Sequence, residues 1–141
     1  MSKKGPIILI EDDEDDQLLI KMAIKNLNVV NPIWVFHNGQ EALEYLERSV
    51  EQPFLILCDI NMPLLNGLEL RAVINQHKIL REKSIPFVFL TTTASAEAIR
   101  MAYDESVQGF YQKENSQAGL QQQLKLIIDY WQSCLHPNSL L

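Results

Sequence analysis

The chain has 141 residues, 47% hydrophobic and 21% charged, a balance that fits one globular domain with its own core and excludes a disordered chain. Twelve basic against eighteen acidic residues leave a net charge of −6, which disfavours a phosphate backbone and excludes direct nucleic-acid binding as the expected role. No apolar stretch approaches a membrane span, and the start Met-Ser-Lys-Lys-Gly-Pro leads into only four apolar residues before Glu11, which is not a signal peptide.

Ile7-Ile8-Leu9-Ile10 runs into Glu11-Asp12-Asp13. A helix should follow, capped by Asp12 or Asp13, with Leu18, Leu19, Met22, Ala23 and Leu27 facing inward. Asp13, Glu14, Asp15 and Asp16 read as exposed first-turn residues favoured by the helix dipole. Ile33-Trp34-Val35-Phe36 is the second strand, and Asn38 with Glu41 is a cap pair ahead of Ala42, Leu43 and Leu46. Phe54-Leu55-Ile56-Leu57-Cys58 runs into Asp59. Asn66 and Glu69 cap a third helical segment carrying Leu70, Val73 and Ile74, bounded by Pro63 and by Ser84-Ile85-Pro86. Phe87-Val88-Phe89-Leu90 runs into Thr91, and Ser95 or a neighbour starts a short helix with Ala98, Ile99, Ala102 and Tyr103. Gly109-Phe110-Tyr111-Gln112 runs into Lys113. Asn115 or Ser116 opens the last helix, whose apolar face is Leu120, Leu124, Ile127, Ile128, Trp131 and Leu135.

Five strand-like runs alternate with helix-like segments, so an α/β fold with a parallel sheet is expected. Short, continuous apolar runs are strands buried on both faces. The expected organisation is one domain over 1–141, with its core at about 6–135 and a short tail at 136–141. Cys58 and Cys134 make no disulfide framework; Cys58 reads as a small core hydrophobe, and a reducing cytoplasmic setting is the default. His37, His77 and His136 show no ligand spacing and are expected at the surface or its boundary.

In open parallel sheets the ligand crevice lies outside the carboxyl ends of the strands. Glu11, Asp12, Asp59, Thr91 and Lys113 therefore converge on one pocket. One acidic residue at a strand end is more often a cap, and one threonine there only a strand former. Four such ends in one chain carry more weight. Crowded carboxylates repel unless a cation sits between them, and all-oxygen donors suit Mg²⁺ or Mn²⁺ rather than zinc. A metal-bound carboxylate beside a lysine and a threonine is equipped for phosphoryl transfer by in-line attack.

These residues resemble the response-regulator receiver family over nearly the whole chain, from about Pro6 to Leu135. The most specific stretch is Cys58-Asp59-Ile60-Asn61-Met62-Pro63 with Asn66-Gly67, taken with the acidic pair, the threonine and the lysine in order. The resemblance implies a doubly wound, flavodoxin-like (βα)5 three-layer sandwich with strand order 2-1-3-4-5. It implies Asp59 as phospho-acceptor. Asp12, Asp59 and the Asn61 carbonyl would hold Mg²⁺, and Glu11 would act through a coordinated water. Thr91 and Lys113 would hold the phosphoryl oxygens, and Phe110 would be the aromatic that turns inward with Thr91 on activation.

The implied phosphodonor is a sensor histidine kinase or a histidine phosphotransfer protein. The implied output face is the family's fourth helix, fifth strand and fifth helix, including Met101, Tyr103 and Phe110. Such a domain phosphorylates and dephosphorylates itself and is not a turnover enzyme. Trp131, Leu135 and Leu140-Leu141 could support a homodimer, although a covered core edge explains the first two equally well.

Two residues depart from the family pattern. Glu114 stands where the family has a proline in a cis peptide bond, leaving open whether this bond is cis or trans, and it sets a carboxylate beside Lys113. Thr92 follows Thr91 where something smaller is common, which should slow phosphoryl entry and loss. Two alternatives stay open. One is a receiver-like interaction module that needs no phosphorylation, with Glu114 as its one supporting feature. The other is an aspartate-nucleophile phosphatase, although such enzymes carry their nucleophile after the first strand and Asp59 follows the third. A flavin site fails on sign, because Glu11-Asp12-Asp13 would repel a phosphate.

Overall fold

The computed structural model describes residues 2–138, so the Leu140-Leu141 part of the expected self-association surface lies outside the described residues. Five parallel strands form one sheet: β1 (Ile7–Ile10), β2 (Ile33–Phe36), β3 (Leu55–Cys58), β4 (Phe87–Thr91) and β5 (Gly109–Gln112). Their order is β2-β1-β3-β4-β5, as the resemblance implied. Six α-helices cover it: α1 (Glu14–Lys25), α2 (Gly39–Arg48), α3 (Gly67–Gln76), α4 (Lys78–Lys83), α5 (Ala96–Asp104) and α6 (Gln117–Ser133).

Strand side chains alternate between faces, so one buried strand feeds two cores. Ile8, Ile10, Ile56, Cys58, Phe87 and Phe89 pack with residues of α2, α3, α4 and α5. Ile7, Leu9, Leu55, Leu57, Val88 and Leu90 pack with residues of α1 and α6. This two-sided cover explains why the central strands read as unbroken apolar runs. Both cysteines are free, and Cys58 is buried.

The caps fall where the sequence placed them. Asp13 Oδ1 accepts the Asp16 N–H (3.0 Å), and Asn38 Oδ1 accepts the Glu41 N–H (2.9 Å). Asn66 and Glu69 form a reciprocal capping box. Ser95 and Ser116 cap α5 and α6. Each cap satisfies a backbone donor that has no partner within the helix.

Four expectations need correction. The inward face of α1 is Ile20, Ala23 and Ile24, with Leu27 half-buried against it; Leu18 and Met22 are 57% and 47% exposed, and Leu19 is exposed as well. Ile20, Ala23, Ile24 and Leu27 are also spaced at helical intervals, and packing against α6 decided between two apolar stripes.

The third helical segment is two helices. The His77 ring accepts the Leu80 N–H (3.3 Å) and caps α4, so the chain turns there. The family's fourth and fifth helices are therefore α5 and α6 in this chain.

Leu135 lies past the end of α6 and is 86% exposed. His136, by contrast, is buried. Its Nε2 lies 2.7 Å from the Phe54 carbonyl oxygen, its ring stacks on Phe54, and Nδ1 accepts the Asn138 N–H.

Candidate functional site

The site is a product of strand register. Ile10 of β1 pairs with Cys58 of β3, so the next residues, Glu11 and Asp59, leave the sheet side by side. Neighbouring strands lie about 4.8 Å apart, which places consecutive strand-end side chains within contact range. The ladder continues one step further: the Asp59 N–H donates to the Ile10 carbonyl (2.9 Å) and the Glu11 N–H to the Phe36 carbonyl (3.0 Å). Carboxylate oxygens of Glu11, Asp12 and Asp59 come within 4.8 Å of one another.

Each side chain is steered. Asp59 is buried, and its Oδ1 accepts the Ile60 N–H at 2.8 Å, which orients the carboxylate. Glu11 is buried and accepts from Lys113 Nζ at 2.5 Å and from the Asp13 N–H at 3.3 Å. Asp12 is exposed at the rim. Thr91 is fully buried at the end of β4, and its hydroxyl oxygen accepts the Thr93 N–H (3.2 Å). The Lys113 N–H donates to the Thr91 carbonyl (2.8 Å), tying the lysine to the threonine's strand. Asn61 is exposed in the loop two residues past Asp59, and its amide donates to Thr93 Oγ1 (2.5 Å). Phe110 is half-buried, with its ring centroid 5.8 Å from that of Phe89.

Burial, reinforced by the charge of Asp59, raises the Glu11 pKa to about 7, while the bond from Lys113 pulls it back. For Lys113, burial works against the charged form. Its hydrogen bond to Glu11, the attraction of Glu11 and Asp59 and a bond to Asp16 outweigh that, so its pKa is raised. Burial holds the Cys58 thiol protonated, with Asp59 and Glu11 adding to the effect. Three carboxylates against one ammonium leave excess negative charge in a partly buried, all-oxygen site. That donor set fits a hard divalent cation, and Glu11, Asp12 and Asp59 can bind one.

The peptide bond between Lys113 and Glu114 is trans, like every peptide bond among the described residues. Lys113 pairs with Glu11 and Asp16, and the exposed Glu114 is not among its ion-pair partners. The Glu114 N–H donates to Gln123 of α6 (3.1 Å).

Two contributors, Asp16 and Thr93, were not singled out from the sequence, and Gly67 figured only as part of the Asn66-Gly67 motif with no role given. Gly67 is buried at the start of α3 against the Asp59 backbone. Its one signal was a glycine directly after a helix cap, where it weakens the helix. Asp16, expected among exposed first-turn acids, lies 3.1 Å from Lys113 Nζ. Thr93 meets Asn61 across the mouth. Neither contact carries a signal in the linear sequence.

A doubly wound parallel sheet with an acidic cation site at its carboxyl edge, flanked by a lysine and a threonine, defines the receiver class of signalling domain. The chain belongs to the response regulator receiver domain family, whose pattern matches residues 7–125. It is 32% identical over 131 residues to the probable methanogenesis regulatory protein FilR2 of Methanothrix harundinacea, covering 89% of this chain and 82% of that protein. The crystal structure of the phosphorylated cyanobacterial phytochrome response regulator RcpA superposes with a TM-score of 0.83 at 32% identity, covering 91% of this chain and 94% of that one. The Mn²⁺-bound form of response regulator Rcp1, a protein of Synechocystis, superposes with a TM-score of 0.79 at 26% identity over the same shares. No helix among the described residues is long and apolar enough to cross a membrane.

Proposed function

We propose that this receiver takes a phosphoryl group from the phosphohistidine of a sensor histidine kinase or histidine phosphotransfer protein onto Asp59. The observation that carries this reading is the convergence of the Glu11, Asp12 and Asp59 carboxylates within 4.8 Å, with Lys113 reaching Glu11 from the end of β5, three strands across the sheet from β1. The Ile60 N–H holds one Asp59 oxygen and sets the plane of the carboxylate. An Asp59 oxygen attacks phosphorus in line, the phosphorus–nitrogen bond breaks, and the imidazole leaves with a proton. Water later attacks the same phosphorus, which releases inorganic phosphate and restores the carboxylate.

Asp12, Asp59 and the backbone carbonyl of Asn61 would hold the cation, with Glu11 contributing from beside them; Mg²⁺ is the expected ion, and the Mn²⁺-bound Rcp1 supports Mn²⁺ as a substitute. A bound divalent ion supplies charge neutralisation for the incoming phosphoryl oxygens. Lys113 offers an ammonium and Thr91 a hydroxyl to those oxygens. Phe110 follows Thr91 when that hydroxyl moves. The output surface is α5, β5 and α6, where Met101 and Tyr103 are exposed and Phe110 is half-buried. A downstream protein reads that face, and the separate self-association expected at Trp131 and Leu135 has the exposed Leu135 in its favour. The likeness to RcpA supports a phytochrome-linked kinase as one donor, and two free cysteines, with no disulfide between them, support a reducing, cytoplasmic setting.

Incubation with acetyl phosphate and Mg²⁺, followed by intact-mass measurement, tests this reading. Wild type gains one phosphoryl mass and Asp59→Asn gains none. A wild type that stays unlabelled in Mg²⁺ would leave the chain as a phosphorylation-independent interaction module.

A further inference from the structure

Lys113 has two carboxylate partners, and only one belongs to the cation site. Its Nζ lies 2.5 Å from Glu11 Oε1 and 3.1 Å from Asp16 Oδ2. The lysine side chain is 8% exposed and that of Asp16 38%, so the outer partner faces solvent from the first turn of α1. Glu11 is also one of the three carboxylates that converge for a cation. A divalent ion entering that cluster competes with the ammonium for Glu11 and repels it. Among the described residues, Asp16 is the other carboxylate paired with Lys113. The lysine's backbone is fixed by its bond to the Thr91 carbonyl, so relief must come from side-chain rotation toward α1.

We infer that Asp16 is a positioning residue: it receives the Lys113 ammonium when a divalent cation claims Glu11, and so makes room for the ion without sending the lysine into solvent. This inference rests on the proposed cation-dependent function and extends it to a residue outside the ligand set. It also explains how this chain aims Lys113 with Glu114 after it. The peptide bond is trans, and the side chain is held between β1 and α1 by two anions. The acidic run after Glu11 thereby has one member with a task distinct from capping: Asp13 caps the helix and Asp16 holds the lysine.

The test is a double-mutant cycle on Mg²⁺ affinity, measured by calorimetric titration of the full chain at fixed ionic strength. Asp16→Asn should weaken Mg²⁺ binding about tenfold in the wild-type background, a change equivalent to about 1.4 kcal/mol. In a Lys113→Ala background the same substitution should change affinity less than twofold, because there is no ammonium to receive. Asp16→Glu should restore at least half of the loss on a logarithmic scale. Asp15→Asn, which removes the same charge one residue away, should leave affinity within twofold of wild type.

An equal loss from Asp16→Asn in both backgrounds would make Asp16 a ligand or a through-space charge and overturn the inference. So would an unchanged affinity in the wild-type background. Thermal melting of each variant without metal confirms that all are folded. A wild type that binds no Mg²⁺ at all is a different failure, because it removes the proposed function itself.

Discussion

Gly67 and Asp59 are in backbone contact across the site: a β-carbon added to Gly67 would lie 2.2 Å from the Asp59 carbonyl oxygen and 2.8 Å from a ring carbon of Phe89. The Gly67 N–H donates to the Ile60 carbonyl (2.9 Å), so α3 is clamped to the loop that carries the acidic residue. The glycine is there for close approach, not for an unusual backbone angle, since no glycine among the described residues has a positive φ.

Gly67→Ala should therefore destabilise the fold by about 2–3 kcal/mol, the upper range for overpacking against a rigid backbone. It should also weaken divalent-ion binding by shifting Asp59. Urea denaturation and Mg²⁺ titration of the folded variant check both. A loss below about 0.5 kcal/mol would show that the loop yields freely, which is the range of ordinary surface changes.

Metal binding and stability should respond to pH in opposite directions through Glu11. Its folded pKa is raised from 4.5 to about 7, mainly by burial. The native state therefore keeps a proton that the unfolded chain has already released. The stability this contributes is fully present below pH 4.5 and is lost as pH rises through about 7. A cation needs the deprotonated form, so Mg²⁺ affinity should climb over the same interval. At an ion concentration of 100 times Kd, stabilisation should reach about 2.7 kcal/mol. Melting curves at pH 5.5 and pH 8, with and without Mg²⁺, check the sign. Glu11→Gln should flatten the pH dependence, and an unflattened profile would point to another group.

Thr92 is exposed at the mouth of the site, in the groove it shares with Asp16, Lys113 and Glu114. Thr92→Ala should speed both phosphorylation by acetyl phosphate and decay of the labelled form. Time courses of intact mass measure the two rates. Equal rates in the two proteins would remove any gating by this side chain.

His136 fastens the segment after α6 against Phe54. Burial lowers its pKa, so the neutral ring is the native form, with Nε2–H donating to the Phe54 carbonyl and Nδ1 accepting from Asn138. His136→Ala should cost about 2–4 kcal/mol, from a lost buried hydrogen bond and a lost ring contact with Phe54. Because the folded pKa is depressed, this contribution is present above the unfolded pKa of about 6.5 and fades as pH falls below it. Thermal melting of wild type and variant at pH 5 and pH 8 should show the gap narrowing at the lower pH.

Strand positions, strand-end residues and helix caps were legible in the linear chain because they are local. An apolar run of four or five residues followed by a carboxylate, and an Asn three residues before a Glu, are readable without any partner. The shared carboxyl-end pocket followed from parallel topology alone. What tertiary structure decided is which of two plausible neighbours each group meets. Helix α1 carries two apolar stripes, and contact with α6 buried Ile20, Ala23 and Ile24 while leaving Leu18 and Met22 in solvent. His77 split one helical segment into two, and His136 was drawn beneath Phe54. Lys113 turned to Glu11 and Asp16, 102 and 97 residues away, although Glu114 is adjacent in sequence. Backbone hydrogen bonding and hydrophobic period act over a few residues and are written in the chain. Burial, desolvation and ion pairing act through space, and only the folded sheet brings those partners together.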